Sequence, residues 1–249
     1  HYRAGRPGYS PALIRRVARL CRLGSADRTL DLGCGPGPLA AAFAPFVAEV
    51  VAVDPEPEML ACVTELAVGN ITAWLGSSYD MGAELGRFRL AVMGRSFHWM
   101  DRPDTLRRLD GVIEPGGAVA LFFTHHPDVS DNAWTGEFRT VRLRYTGDDP
   151  ARAAIRAPGW ASHEAVLLDS PFAHVESAAA LERRRVPVSA LIDRALSMSG
   201  TSPQRLGDRV DDLTREITAA RAPHAVDGVV AEIIESRAVL GFRPGEQPE

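Results

Sequence analysis

Thr29-Leu-Asp-Leu-Gly-Cys-Gly-Pro-Gly37 decides the fold. Thr29 to Gly33 is a short buried-strand run, and glycines at 33, 35 and 37 follow at its end, opening a helix over Leu39 to Phe46. Glycine there lets the chain turn sharply and approach a ligand that a Cβ would exclude. The β-branched run Glu49-Val-Val-Ala-Val-Asp54 is a second strand, and Pro57 to Val68 carries apolar residues at helical spacing. Asp54 thus closes the second strand about 20 residues after the glycines, where a carboxylate accepts both hydroxyls of a ribose. Strand, glycine turn, helix, strand and terminal acid, in that order, form a nucleoside-cofactor constellation.

The alternation continues outward. Ile71 to Leu75 and Leu90 to Met93 read as the third and fourth strands. Thr105 to Val112 reads as a helix ended by Pro115-Gly116-Gly117, and Ala118 to Phe123 as the fifth strand. Strands alternating with helices of this length predict a mainly parallel sheet covered on both faces. Beyond it the pattern loosens. Thr124 to Ser170 is too long for a simple connection and reads as a lid or helical insert. Val188 to Met198 and Pro203 to Arg221 read as helices, with Ser202 as the N-cap of the latter, and Val229 to Phe242 as strand. The expected organisation is one domain over 1–249: an N-terminal arm and helix (1–28), a cofactor-binding core (29–123), a substrate-side insert (124–170) and C-terminal helices and strands (171–249).

Charge chemistry narrows the cofactor. The dinucleotide fingerprint is G-x-G-x-x-G, which sets a pyrophosphate on a helix N-terminus. Here the glycines fall as G-x-G-x-G, and Asp31 precedes the first by two residues. A carboxylate repels phosphate and attracts an ammonium or sulfonium, so the loop favours S-adenosylmethionine over NAD. The Lys-Ser/Thr ending of a phosphate loop is missing too.

These residues resemble the class I S-adenosylmethionine-dependent methyltransferases. Thr29 to Gly37 looks like their first motif, and Val53-Asp54-Pro55 with Glu58-Met59-Leu60 like their second. Tyr2 and Arg6-Pro7, with Ser96-Phe97-His98-Trp99, are most similar to the small-molecule group that includes ubiquinone-biosynthesis-type and antibiotic-tailoring enzymes. The resemblance implies a Rossmann-like seven-stranded sheet with a helical cap. It also implies that Gly33, Gly35 and Gly37 line the methionine portion of the cofactor and Asp54 the ribose. Glu56 or Met59 would border the adenine. Ser77 or Ser78 stands where the family often has an acid facing the adenine amine. Tyr2, Asp31, Pro55, Gly94 and Arg95 complete the expected cofactor set.

In an open α/β sheet the reacting end lies beyond the carboxyl ends of the strands, so the loops at Gly94 to Trp99 and Thr124 to His126 supply the remaining candidates. His98 is the candidate acid/base, against the reading in which it only packs in its loop. Trp99 is a wall, because indole only donates. Tyr9, His125, His126 and Trp134 complete the expected substrate contacts, with Tyr2 and Tyr9 as a lid. Acids and aromatics of the insert suit a cationic or polyhydroxylated substrate such as an amino sugar.

The 249 residues carry 28 basic and 32 acidic side chains, a net of -4, and every basic one is arginine. That balance argues against a polyanion surface as the main feature, although Arg139, Arg142, Arg144 and Arg183-Arg184-Arg185 keep an RNA substrate in play. Cys21, Cys34 and Cys62 form no metal spacing, so no metal is expected. With no leader and no bilayer-spanning run, the reading places the protein in the cytoplasm, with a small-molecule substrate and neither nucleic-acid nor membrane partner. The expected reaction is methyl transfer to an amine or hydroxyl of a natural product. An RNA or protein methyltransferase, or an inactive cofactor-binding regulator, are its rivals.

Overall fold

Leu30, Leu32, Val51, Val53, Ala91, Met93, Val119 and Leu121 pack into one buried cluster, while Val50, Ala52, Leu90, Val92, Ala118, Ala120 and Phe122 pack into another. Successive strand residues therefore serve opposite faces of one sheet, and both faces are covered. The computed structural model that shows this describes residues 8–147 and 159–244.

The strands are β1 (Arg28–Leu32), β2 (Glu49–Asp54), β3 (Ile71–Leu75), β4 (Phe88–Gly94), β5 (Ile113–His125), β6 (His174–Pro187) and β7 (Val229–Phe242), in the order β3-β2-β1-β4-β5-β7-β6. Pairings β1–β2, β1–β4, β2–β3 and β4–β5 are parallel. The helices are α1 (Pro11–Leu20), α2 (Pro38–Phe43), α3 (Pro57–Thr64), α4 (Arg102–Val112), α5 (Trp134–Tyr145), α6 (His163–Leu168), α7 (Val188–Leu196), α8 (Pro203–Leu206) and α9 (Val210–Arg221). Among the described residues no helix is long and apolar enough to cross a membrane.

Two compact units divide the chain. Among the described residues the core unit takes 9–123, 159–180 and 236–244; the second takes Gly8, 124–147 and 181–235. In the core unit, α1 buries Leu13, Ile14, Val17 and Ala18, which share one helical face. The second unit has its own apolar centre, built by Trp134, Phe138 and Val141 of α5, Leu191 and Ala195 of α7, and Leu213 and Ile217 of α9.

Several expectations change. The helix expected from Thr105 starts at Arg102, because Asp101 accepts a hydrogen bond from the Asp104 amide as N-cap. Pro115-Gly116-Gly117 lies inside β5 as an irregularity opposite Arg89, between the pairs Phe88–Ile113 and Leu90–Ala118. A Cβ on Gly117 would sit 2.9 Å from the Arg89 carbonyl oxygen, so only glycine fits there. The single helix expected over Pro203 to Arg221 breaks at Gly207, whose φ of 54° and ψ of -127° lie outside the helical region. Ser202 does precede that helix, but its side chain makes no capping bond. The seven-stranded expectation left the strand now seen over His174–Pro187 unplaced.

Candidate functional site

Gly33, Gly35 and Gly37 all have positive φ, at 66°, 55° and 80°, the left-handed region that glycine occupies without penalty. At Gly33 a Cβ would also fall 2.6 Å from the Ser96 Cβ. The loop folds back on β2: the amides of Gly33 and Cys34 both donate to the Val53 carbonyl, at 2.8 and 3.0 Å. Asp54 sews the two segments together, one carboxylate oxygen accepting from the Gly35 amide at 2.8 Å and the other from the Glu56 amide at 3.0 Å. The Ser96 hydroxyl donates to the Leu32 carbonyl at 2.9 Å, bringing the end of β4 beside the loop. Ser96, which lies in the motif resembling the small-molecule group, and Met100 both stand against Gly33; neither was among the expected cofactor residues.

Asp31 lies beneath the loop, almost wholly buried. One oxygen accepts from the Ala40 amide at 2.8 Å; the other is buried without a hydrogen-bond partner. Burial pushes its pKa up to about 7, opposed by the Ala40 amide and aided by the Asp54 charge. The same burial and the same two carboxylates push the Cys34 thiol up. An orphaned carboxylate oxygen beside a second carboxylate fits a cationic ligand group and opposes a phosphate. The loop therefore suits the cofactor class expected from its sequence.

The remaining expected residues divide. Gly94 ends β4, and Arg95 follows with a φ of 59° and its amide donating to the Phe122 carbonyl. Pro55 is exposed and Met59 half-buried at the start of α3. Ser77 is a turn cap: its hydroxyl donates to Asp80 at 2.7 Å, while Ser78 is buried beside it. Asp80 thus supplies an exposed acid that the Ser77/Ser78 reading lacked, its carboxyl held below the usual range by the Ser77 hydroxyl and amide. Tyr2, Arg6 and Pro7 lie outside the described residues, as do Asp148 and Asp149 of the insert. Tyr9 is not a lid in the described structure. It is buried, edge-on to Phe122 and beneath the Arg95 guanidinium, because α1 carries it into the core.

His98 sits half-buried in the single turn Phe97–Trp99, its ring 4.6 Å from that of Trp99, which is half exposed. In the second unit the two adjacent histidines diverge. His125 is exposed, with Nδ1 3.6 Å from Glu235, whereas His126 Nε2 lies 2.7 Å from Glu232. Glu232 is fully buried and also bonded by Arg194 at 2.5 Å. Burial alone would raise its pKa, but the hydrogen bonds and charges of His126 and Arg194 prevail and hold it at about 2. An ionised carboxylate only accepts, so His126 donates to Glu232 through its Nε2–H. Trp134 is buried, with its indole N–H donating to the Ala231 carbonyl at 2.8 Å. Its ring, with His125 and His126, lines a cavity of about 400 Å³ that also admits Phe138, Arg139 and Met198.

Residues 29–117 match the family described as a methyltransferase domain. An uncharacterized methyltransferase of Mycobacterium tuberculosis is 28% identical over 88% of this chain and 82% of its own length. A protein of Saccharomyces cerevisiae named as a probable S-adenosylmethionine-dependent methyltransferase is 22% identical over 53% of this chain and 47% of its own. Among solved structures, a candidate type II methyltransferase from Anaeromyxobacter dehalogenans superposes with a TM-score of 0.62 at 17% identity, covering 97% of this chain and 99% of that one. The cyclase SpnF superposes at 0.54, also at 17% identity, over 97% and 85%. Both structural likenesses establish the Rossmann-like fold.

Proposed function

We propose that the chain, whose residues 29–117 match a methyltransferase domain, is a class I S-adenosylmethionine-dependent methyltransferase that methylates an amine or hydroxyl of a small molecule of the natural-product class. S-adenosylmethionine, when bound, supplies an electrophilic methyl group on its sulfonium. The chain's own residues then have three tasks. Gly33, Gly35 and Gly37 bring the backbone close to the methionine portion. Asp31 and Asp54 meet its positive charge and the ribose hydroxyls. His98 accepts the proton that the nucleophile loses, or orients the lone pair once that proton has gone.

The observation that favours the small-molecule reading is the cavity of about 400 Å³ in the second unit, within the size range of small-molecule pockets. The rival polymer reading leans on Arg183-Arg184-Arg185, yet Arg183 lies 3.2 Å from Asp131 and Arg184 2.5 Å from Glu182. Such pairing leaves less charge for phosphates.

The deciding experiment supplies the protein with radiolabelled S-adenosylmethionine and either a metabolite extract or RNA and protein fractions. Label entering only the metabolite fraction is expected. Label in polymer would overturn the reading, and tight S-adenosylhomocysteine binding without turnover on any fraction would identify a regulator. With the substrate in hand, His98→Ala should lower kcat roughly 10²-fold, with cofactor binding unchanged. Unchanged kcat and KM would leave His98 a packing residue.

A further inference from the structure

His126 follows β5 and borders the cavity of the second unit, with its ring fixed from two sides. Nε2 lies 2.7 Å from Glu232 of β7, and the Trp134 ring of α5 stands T-shaped to it at 5.5 Å. Glu232 is fully buried and ionised, and the same oxygen also accepts from Arg194 of α7 at 2.5 Å. The Nε2–H therefore donates to a fixed negative charge. A neutral imidazole has one donor and one acceptor nitrogen, so Nδ1 is the acceptor, and among the described residues none donates to it. A buried carboxylate on one nitrogen holds the tautomer and the ring orientation, and it stabilises the imidazolium once a proton arrives on the other. The neighbouring His125 lacks this arrangement: it is exposed, 3.6 Å from Glu235. Arg139, Arg142, Arg194 and His125 are the charged groups that share the cavity with His126, and Glu232 stands behind it. Trp134, Phe138 and Met198 give the remaining wall an apolar, largely aromatic character.

We infer that this cavity binds an aryl hydroxyl compound as its phenolate, with the hydroxyl proton held on Nδ1 of His126 and the ring against Trp134 and Phe138. The O–H bond breaks, an N–H bond forms on the imidazole, and the electron pair stays on oxygen. Phenolate and imidazolium then attract each other in a partly enclosed space, where water screens them less than in solution. An amine gains less there, because giving up its proton leaves a neutral nitrogen beside the imidazolium. The inference rests on the small-molecule reading above and selects the hydroxyl from its two nucleophiles.

The test uses para-nitrophenol, whose phenolate absorbs visible light and whose neutral form does not, titrated into the protein without cofactor. In buffer about one pH unit below its own pKa, about a tenth of the free phenol is ionised. Saturable binding is expected, with the phenolate fraction of the bound ligand raised roughly threefold or more over the free one. His126→Gln, which can still donate to Glu232 and is checked for folding by thermal melting, should abolish that rise. Nitrogen NMR of the wild-type protein, about one pH unit above the ligand's pKa, should show His126 as imidazolium in the complex. Two probes of the same skeleton, para-nitroanisole and para-nitrobenzylamine, should bind at least tenfold more weakly than the phenol. No rise in bound phenolate, a rise that survives in the folded variant, or a neutral His126 in the complex overturns the inference. Equal affinity for all three probes does so as well. The label-transfer experiment and calorimetry with S-adenosylhomocysteine report separately on the methyltransferase reading, so failure of one is distinguishable from failure of the other.

Discussion

Asp54 orders the glycine loop through the Gly35 amide and the start of α3 through the Glu56 amide, and we propose that its carboxylate also accepts the ribose hydroxyls. Asp54→Ala should therefore weaken S-adenosylhomocysteine binding by about 1.5–3 kcal/mol, the range for charge-assisted hydrogen bonds. Calorimetry giving wild-type affinity would remove Asp54 from the site. Asp31 behaves differently because its pKa is raised from 3.8 to about 7 by burial. Between those values the folded protein holds a proton that the unfolded chain has released. Stability of the ligand-free protein is thus favoured at low pH and falls as pH rises toward 7. A cationic cofactor binds the ionised form, so affinity for S-adenosylmethionine should rise with pH below 7, by up to about tenfold per unit. Asp31→Asn should flatten that dependence in titrations from about pH 5.5 to 7, the interval just below the raised pKa. A wild-type affinity independent of pH would show that Asp31 stays neutral when the cofactor binds.

At the scale of elements, Glu232 clamps β7 to α7 through Arg194 and to the segment after β5 through His126. Removing its charge leaves the Arg194 guanidinium, itself 7% exposed, without that carboxylate. Glu232→Gln should accordingly cost about 3–5 kcal/mol in denaturant unfolding, the range for breaking a buried pair; a change below about 1 kcal/mol would place it among ordinary surface pairs. Because its folded pKa is depressed from 4.5 to about 2, its contribution is present above pH 4.5 and lost as pH falls toward 2. Elements also differed in how plainly they could be read. Strands β1, β2 and β4 are apolar on both faces, and their runs stand out. Strand β6 alternates only weakly. It is the last strand of the sheet order, and most of its side chains face solvent, Leu181 and Arg183 among them. An edge strand rich in charge protects itself from pairing with other chains, and that protection erases the apolar signal.

For the molecule as a whole, two apolar layers sandwich the sheet of the core unit, and a separate cluster of Trp134, Leu191 and Ile217 organises the second unit. The sequence by itself determined the sheet from Asp31 to Phe123, the glycine loop and the acid that closes β2. Each of these is a local pattern: period-two burial, left-handed turns that need glycine, and a carboxylate at a fixed distance along the chain. Only the tertiary structure decided the rest. Tyr9 is drawn into the core by packing of α1, and Ser96 reaches Gly33 across more than sixty positions of chain. The arginines of the second-unit cavity come from α5 and α7, some fifty residues apart, while the charge that offsets one of them comes from β7. A net charge of -4 spread along the chain gives no hint of which charged side chains meet at that cavity, because that depends on which distant residues the fold turns into it.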